Sequence, residues 1–135
     1  MKSNCIFCQV VAGKIPCYKI FENEHFLGLL DIFPVIEGHA LIIPKKHYRW
    51  VHEVKEFGQF WQVAQKVALA QINGLKASTV VFATAGFQVP HAHIHVMPMP
   101  PIGQGEFLPG VESAKRIKVT PQELQKTAAS LRKTL

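Results

Sequence analysis

His91-Ala92-His93-Ile94-His95-Val96-Met97 is the stretch on which the reading of this chain turns. In extended backbone alternate side chains share a face, so the run predicts a strand with His91, His93 and His95 in a row and Ala92, Ile94 and Val96 turned to a core. Such a row spans about 13 Å, too far for one ion bound about 2 Å from each nitrogen. The three imidazoles must therefore divide their work. A structural role would need a hydrogen-bond partner for every ring and gain little apolar burial. Imidazole titrates near neutrality: it can be neutral enough to attack phosphorus and becomes a good leaving group once protonated, so a phosphorylated histidine can form and break at pH 7. The isolated His25, His39 and His52 read as ordinary surface or hydrogen-bonding residues and stay outside the expected site. Ser3, Ser78, Ser113 and Ser130 sit in no nucleophile-elbow pattern and Asp31 is the one aspartate, which makes a Ser-His-Asp hydrolase a poor fit.

Outward from this run, Thr79 to Phe82 reads as a strand joined to it by the loop from Ala83 to Pro90. Before it, Val54, Phe57, Phe60, Trp61, Ala64, Val67, Ala68 and Ile72 recur at helical spacing, predicting one long helix over Glu53 to Asn73, ended by Gly74. Ala40 to Ile43 reads as a buried strand closed by Pro44, and Tyr18 to Phe21 and Phe26 to Ile32 as a hairpin. Asn4 can cap a short helix from Cys5 to about Ala12, with Gly13 as its stop. Residues 98 to 110, rich in proline and glycine, read as loop. Thr120-Pro121-Gln122-Glu123 starts a last helix whose apolar edge is Leu124, Ala128, Leu131 and Leu135. The expectation is an α+β fold: an antiparallel sheet of about five strands on one long helix, with a short N-terminal and a C-terminal helix. The 135 residues are expected to form a single domain, with the cysteine-bearing helix in residues 1–13 and a divergent loop and helix in 98–135.

Apolar residues make up 48% and charged residues 18%, a globular composition. The net charge of +6 is scattered rather than blocked, so small phosphorylated ligands suit it and duplex nucleic acid is not expected as a partner. No run is apolar enough for a membrane span or a secretion signal, and three cysteines make no disulfide framework, so the cytoplasm is the expected compartment. Cys5 and Cys8 have the gap that lets two thiolates reach one zinc, although no second pair stands nearby. A thioredoxin-like redox pair would need a preceding strand, for which four residues leave no room.

The run from His91 to Met97 resembles the His-φ-His-φ-His-φ-φ signature of the histidine triad (HIT) family. Cys5-Ile6-Phe7-Cys8, Asp31-Ile32, Gly38 through His47 and Ala85-Gly86 are similar to HIT segments in family order. The resemblance implies a HIT-like fold and a nucleotide phosphoramidate or dinucleoside polyphosphate hydrolase or nucleotidyl transferase. In it His93 attacks the α-phosphorus and carries the nucleotidyl group, and His95 contacts the phosphate or leaving group. It implies that Asp31 binds the ribose, that Ile6, Phe7, Val10, Leu29 and Ile32 enclose a purine base, and that Gly86 and Gln88 hold phosphate oxygens. It further implies a structural zinc on Cys5, Cys8, His47 and His91, and a homodimer. Phe87 departs from the glutamine that many members carry there. Two other classes stay open: a nucleotide-binding regulatory module with little turnover, and a metallohydrolase whose triad histidines hold a catalytic zinc.

Overall fold

The computed structural model describes residues 2–105 and 110–135. Its elements are α1 (Ile6–Val11), β1 (Lys19–Glu22), β2 (Phe26–Leu30), β3 (Ala40–Pro44), a 3-10 turn (Val51–Glu53), α2 (Phe57–Leu75), β4 (Thr79–Ala83), β5 (Ile94–Met99) and α3 (Pro121–Thr134). The strands form one five-stranded antiparallel sheet in the order β1-β2-β3-β5-β4. The expected α+β architecture is what the chain adopts.

The uninterrupted apolar character of β2 and β3 has a plain cause: both faces of the sheet are covered. Phe26, Leu30, Ala40 and Ile42 join Ala92, Ile94 and Val96 under α2 and α3, where Phe60, Val67, Ala128 and Leu131 complete the main core. The alternate residues Leu27, Leu29, Leu41 and Ile43 pack with Phe7, Cys8 and Val10 of α1 on the opposite face. Phe26 and Phe60 stack face to face with centroids 5.1 Å apart. Among the described residues no helix is long and apolar enough to cross a membrane.

Several boundaries differ from expectation for physical reasons. Helix α1 is capped by Cys5, whose sulfur accepts the Cys8 N–H, and not by Asn4; Gly13 does take the left-handed conformation that ends the turn. Helix α2 runs through Gly74 to a left-handed cap at Lys76. Gly74 instead serves close packing, since a β-carbon there would lie 3.1 Å from the Ser130 carbonyl oxygen of α3. Strand β5 begins at Ile94, so His91, Ala92 and His93 lead into it, held alongside Tyr48 by a 2.7 Å bond from Ala92 N–H to the Tyr48 carbonyl. Strand β2 stops at Leu30 and leaves Asp31 and Ile32 beyond its end. Pro98 lies within β5 rather than in a loop, because β3 pairs with β5 only from Ile94 to Val96 and, among the described residues, no strand bonds to that edge further on. The rest of the loop expected over 98 to 110 includes residues 106–109, which lie outside the described residues. Leu135 is exposed, and Thr127 joins Leu124, Ala128 and Leu131 on the buried edge of α3.

Candidate functional site

The strand order brings together side chains far apart in the chain. Cys5 and Cys8 sit on one edge of α1, His47 follows β3, and His91 precedes β5. Their four donor atoms lie within 4.8 Å of one another. Cys5 Sγ is 3.2 Å and Cys8 Sγ 3.6 Å from His91 Nδ1, while His47 Nδ1 is 3.3 Å from Cys8 Sγ and 3.1 Å from His91 Nδ1. Bonds of about 2.0 to 2.3 Å in a tetrahedron imply edges of about 3.3 to 3.8 Å, so two sulfurs and two nitrogens at these separations suit a closed four-coordinate metal site. His91 Nε2 lies 2.9 Å from the Pro44 carbonyl, an obligate acceptor, so this nitrogen carries the proton and Nδ1 turns its lone pair to the cluster. Burial pushes the His91 imidazole down to about 4 and the Cys8 thiol up from its ordinary value.

Next to this cluster a cavity of about 340 Å³ opens on the α1 face of the sheet. Ile6, Phe7 and Val10 of α1, with Leu29 and Leu41 of the strands, make its apolar wall. Asp31, Ile32 and Phe33 form one lip, Gln88 and Val89 another, and His93 and His95 face the space between. Asp31 accepts the Phe33 N–H at 2.9 Å. Burial raises its carboxyl above the usual range, opposed by that bond and by the Arg116 guanidinium at 3.5 Å.

The protons on the two cavity histidines follow from their partners. His93 Nδ1 is 2.7 Å from the His91 carbonyl, which can only accept, so Nδ1 donates and Nε2 keeps a free lone pair. Burial lowers the His93 pKa, opposed by that bond and by Asp31 and Glu112. His95 has the reverse polarity. The Val35 N–H donates to His39 Nδ1 at 3.1 Å, so in neutral His39 the proton resides on Nε2. That Nε2 is 2.9 Å from His95 Nδ1 and donates to it, which leaves the His95 proton on Nε2. Two imidazoles with centroids 4.9 Å apart thus offer one acceptor and one donor.

Of the residues expected in the cavity, Ile6, Phe7, Val10, Leu29, Asp31, Ile32, Gln88, His93 and His95 line it. Gly86 does not: its carbonyl is taken by Arg49 at 2.7 Å. Beyond further lining such as Leu30, Phe33, Leu41 and Val89, the structure adds three polar residues that sequence reasoning left out. His39 is fully buried against His95, and only the pairing of β3 with β5 could have revealed it. Glu112 and Arg116 come from the segment between β5 and α3 and line the cavity. That segment is fastened across the mouth: Glu112 accepts the Phe87 N–H at 3.3 Å, Arg116 Nη1 donates to the Phe33 carbonyl at 3.0 Å, and the Ile117 N–H to the Pro34 carbonyl at 2.8 Å.

The buried pair makes stability depend on pH. Burial first, then a neighbouring imidazole, which is His95 for His39 and His93 for His95, holds the pair down at about 3, against 6.5 for a free histidine; Arg116 and Asp31 are the other charged groups facing them. Below about pH 6.5 the unfolded chain binds more protons than the folded one, so stability falls as pH drops from there towards 3. Urea midpoints are expected to decrease steadily between pH 7 and 4.5, with a shallower slope in His39→Asn. Midpoints unchanged over that range would contradict the assignment.

The HIT domain family matches residues 12–101 of this chain. The protein named hit of Bacillus subtilis is 35% identical, the match covering 98% of this chain and 94% of that protein. An adenosine 5'-monophosphoramidase of Schizosaccharomyces pombe is 36% identical over 72% of this chain and 75% of its own length. Among solved structures, a zinc-bound histidine triad family protein of Mycobacterium smegmatis superposes with a TM-score of 0.76 at 32% identity, covering 97% of this chain and 92% of that one.

Proposed function

The chain belongs to the histidine triad family, and from that membership we propose that it hydrolyses or transfers nucleotides at the α-phosphate through a nucleotidyl-His93 intermediate. The observation that carries this reading is the 2.7 Å contact of His93 Nδ1 with the His91 carbonyl, which leaves Nε2 as an unprotonated nucleophile in the cavity. The purine lies against Ile6, Phe7, Val10, Leu29 and Ile32, and Asp31 accepts the ribose hydroxyls. Nε2 attacks the α-phosphorus; the bond from phosphorus to the leaving group breaks, and its electron pair departs with that group. The N–H on His95 Nε2 faces the same centre and hydrogen-bonds the departing atom, which takes up a proton from solvent. Water then attacks the nucleotidyl-imidazole, the P–N bond to His93 breaks, and the proton lost by that water returns to solvent. The net reaction consumes one water and yields a nucleoside monophosphate and the protonated leaving group. Gln88, at the lip, is placed to hold a phosphate oxygen.

Cys5, Cys8, His47 and His91 would hold a zinc ion, whose contribution there is to pin α1 and the approach to β5 rather than to act on substrate. The free thiols Cys5, Cys8 and Cys17 suit a reducing compartment such as the cytoplasm.

The test is release of AMP from an adenosine phosphoramidate. Release supports the reading; tight binding of AMP with no turnover of any nucleotide conjugate would replace it with a binding module.

We also propose a homodimer through the open edge of β4. That strand is an edge of the sheet, and Phe57 and Phe82 beside it are 46% and 43% exposed, with Trp61 packed between them. Sedimentation is expected to give twice the chain mass, and Phe82→Lys to shift it to the single-chain value. A single-chain mass for the unaltered protein would refute the dimer.

A further inference from the structure

Gln71 is a buried polar residue that the reaction leaves unused. It lies in α2 with none of its surface in water, and its Oε1 is the one buried side-chain oxygen or nitrogen without a hydrogen-bond partner among the described residues. An apolar side chain of the same length would leave no such orphan, so the other half of the amide has to justify its presence. That half is fully engaged: Nε2 donates to the Gly38 carbonyl at 3.0 Å and to the Val96 carbonyl at 2.9 Å. Carbonyls can only accept, which fixes the amide this way round.

The sheet explains why a donor is needed there. The His39 carbonyl accepts the Asp31 N–H from the β2 side, so by the alternation of an antiparallel ladder Gly38 and Ala40 turn towards β5. Ala40 pairs with Val96, which sets Pro98 opposite Gly38; a β-carbon on Gly38 would lie 3.0 Å from Pro98 Cγ. Proline has no N–H, so the ladder cannot give the Gly38 carbonyl its donor. Gln71 reaches in from α2 and gives it, while the same nitrogen holds Val96 on the neighbouring strand.

The two carbonyls flank the histidine pair, since Gly38 precedes His39 and Val96 follows His95. Ala40 and Val96 are the last pair of the ladder, so beyond them the Gln71 amide is what resists splaying of the two strands. The His39 Nε2 to His95 Nδ1 bond, 2.9 Å long, spans those strands. Lengthening it weakens the contact that keeps the His95 proton on Nε2, the nitrogen that meets the departing atom.

Resting on the nucleotidyl-His93 reading, we infer that Gln71 is a positioning residue for the reaction: its amide replaces the N–H that Pro98 lacks and holds His39 against His95, which keeps the His95 donor in place. Gln71 does not line the cavity and acts only through this pair.

The experiment follows AMP release from an adenosine phosphoramidate, with kcat and KM taken separately. Gln71→Met keeps the length and removes both donors; it is expected to lower kcat about tenfold and leave KM within about twofold, the pattern of a displaced group that does not bind substrate. Adding Pro98→Ala returns an N–H opposite Gly38 and is expected to bring kcat to within about threefold of the unaltered protein. Val67→Ala, which loosens the same helix in the main core without unpairing either carbonyl, is expected to lower the melting temperature and spare kcat. Nitrogen NMR of the imidazoles should find the His95 proton on Nε2 in the unaltered protein and shared between its two nitrogens in Gln71→Met. Unchanged kcat or an unchanged His95 tautomer in folded Gln71→Met, an equal kcat loss in Val67→Ala, or no recovery on adding Pro98→Ala overturns the positioning role while leaving nucleotidyl transfer intact. Should Gln71→Met not fold, the double variant decides: near-normal kcat supports the role, and a loss of about tenfold overturns it. No AMP from the unaltered protein overturns the nucleotidyl reading and this one with it.

Discussion

Replacing His93 with alanine is expected to reduce AMP release from an adenosine phosphoramidate by on the order of 10⁴-fold or more, because the reaction loses its nucleophile rather than one of several stabilising contacts. Dissociation of AMP should change little, since the apolar wall and Asp31 are untouched. His95 cannot take over: its cavity-facing nitrogen carries a proton, fixed there by the His39 bond at 2.9 Å. The substitution leaves the His91 carbonyl without its donor, a cost of about 1 to 3 kcal/mol, so the comparison requires a circular dichroism check of folding. In quench-and-weigh experiments the unaltered protein should gain the mass of one nucleotidyl group, and the variant none. Sustained turnover by a folded His93→Ala protein would end the covalent reading and bring back a metal-activated water.

Removing metal is expected to have the second large effect, on stability rather than on chemistry. Cys5 and Cys8 are buried, and the cluster joins α1 to residues that follow β3 and precede β5. A metal bound only by the folded chain adds its binding free energy to folding, for structural zinc commonly several kcal/mol. The purified protein should carry about one zinc per chain, and a chelator or Cys8→Ser should lower the melting temperature by about 10 °C or more. Molecules still folded at low temperature should keep most of their turnover, because the His93 nucleophile is not a ligand. Zinc-free protein with an unchanged melting temperature would refute the site.

Much of the fold was legible because its signals are periodic. The helical repeat from Phe57 to Ile72 marked α2, although Val54, counted into the same repeat, caps the 3-10 turn before it, and the unbroken apolar run at Ala40 to Ile43 marked a strand covered on both faces. The triad announced itself by three rings in five residues. His39 carried no such signal: it becomes part of the site only when β3 lies against β5, a pairing between residues more than fifty positions apart. Glu112 and Arg116 were hidden for a different reason. Their stretch has neither helical nor strand period, and its position is set by individual hydrogen bonds to distant loops, which no local pattern encodes. Gly74 was misread as a stop because glycine signals both helix ends and close helix contacts, and only the approach of α3 separates the two.

The fastening of residues 112–117 across the cavity mouth bears on which positions can change over time. On the two loops it spans, the bonds land on main-chain atoms: the Phe33 and Pro34 carbonyls and the Phe87 N–H. The side chains of Phe33 and Phe87, exposed by 68% and 74%, play no part in those bonds. Mutational drift can therefore rewrite both lips of the cavity, and so what the protein accepts, without unfastening the segment above them; it cannot do the same at Glu112 and Arg116, where the side chains themselves are the clasps.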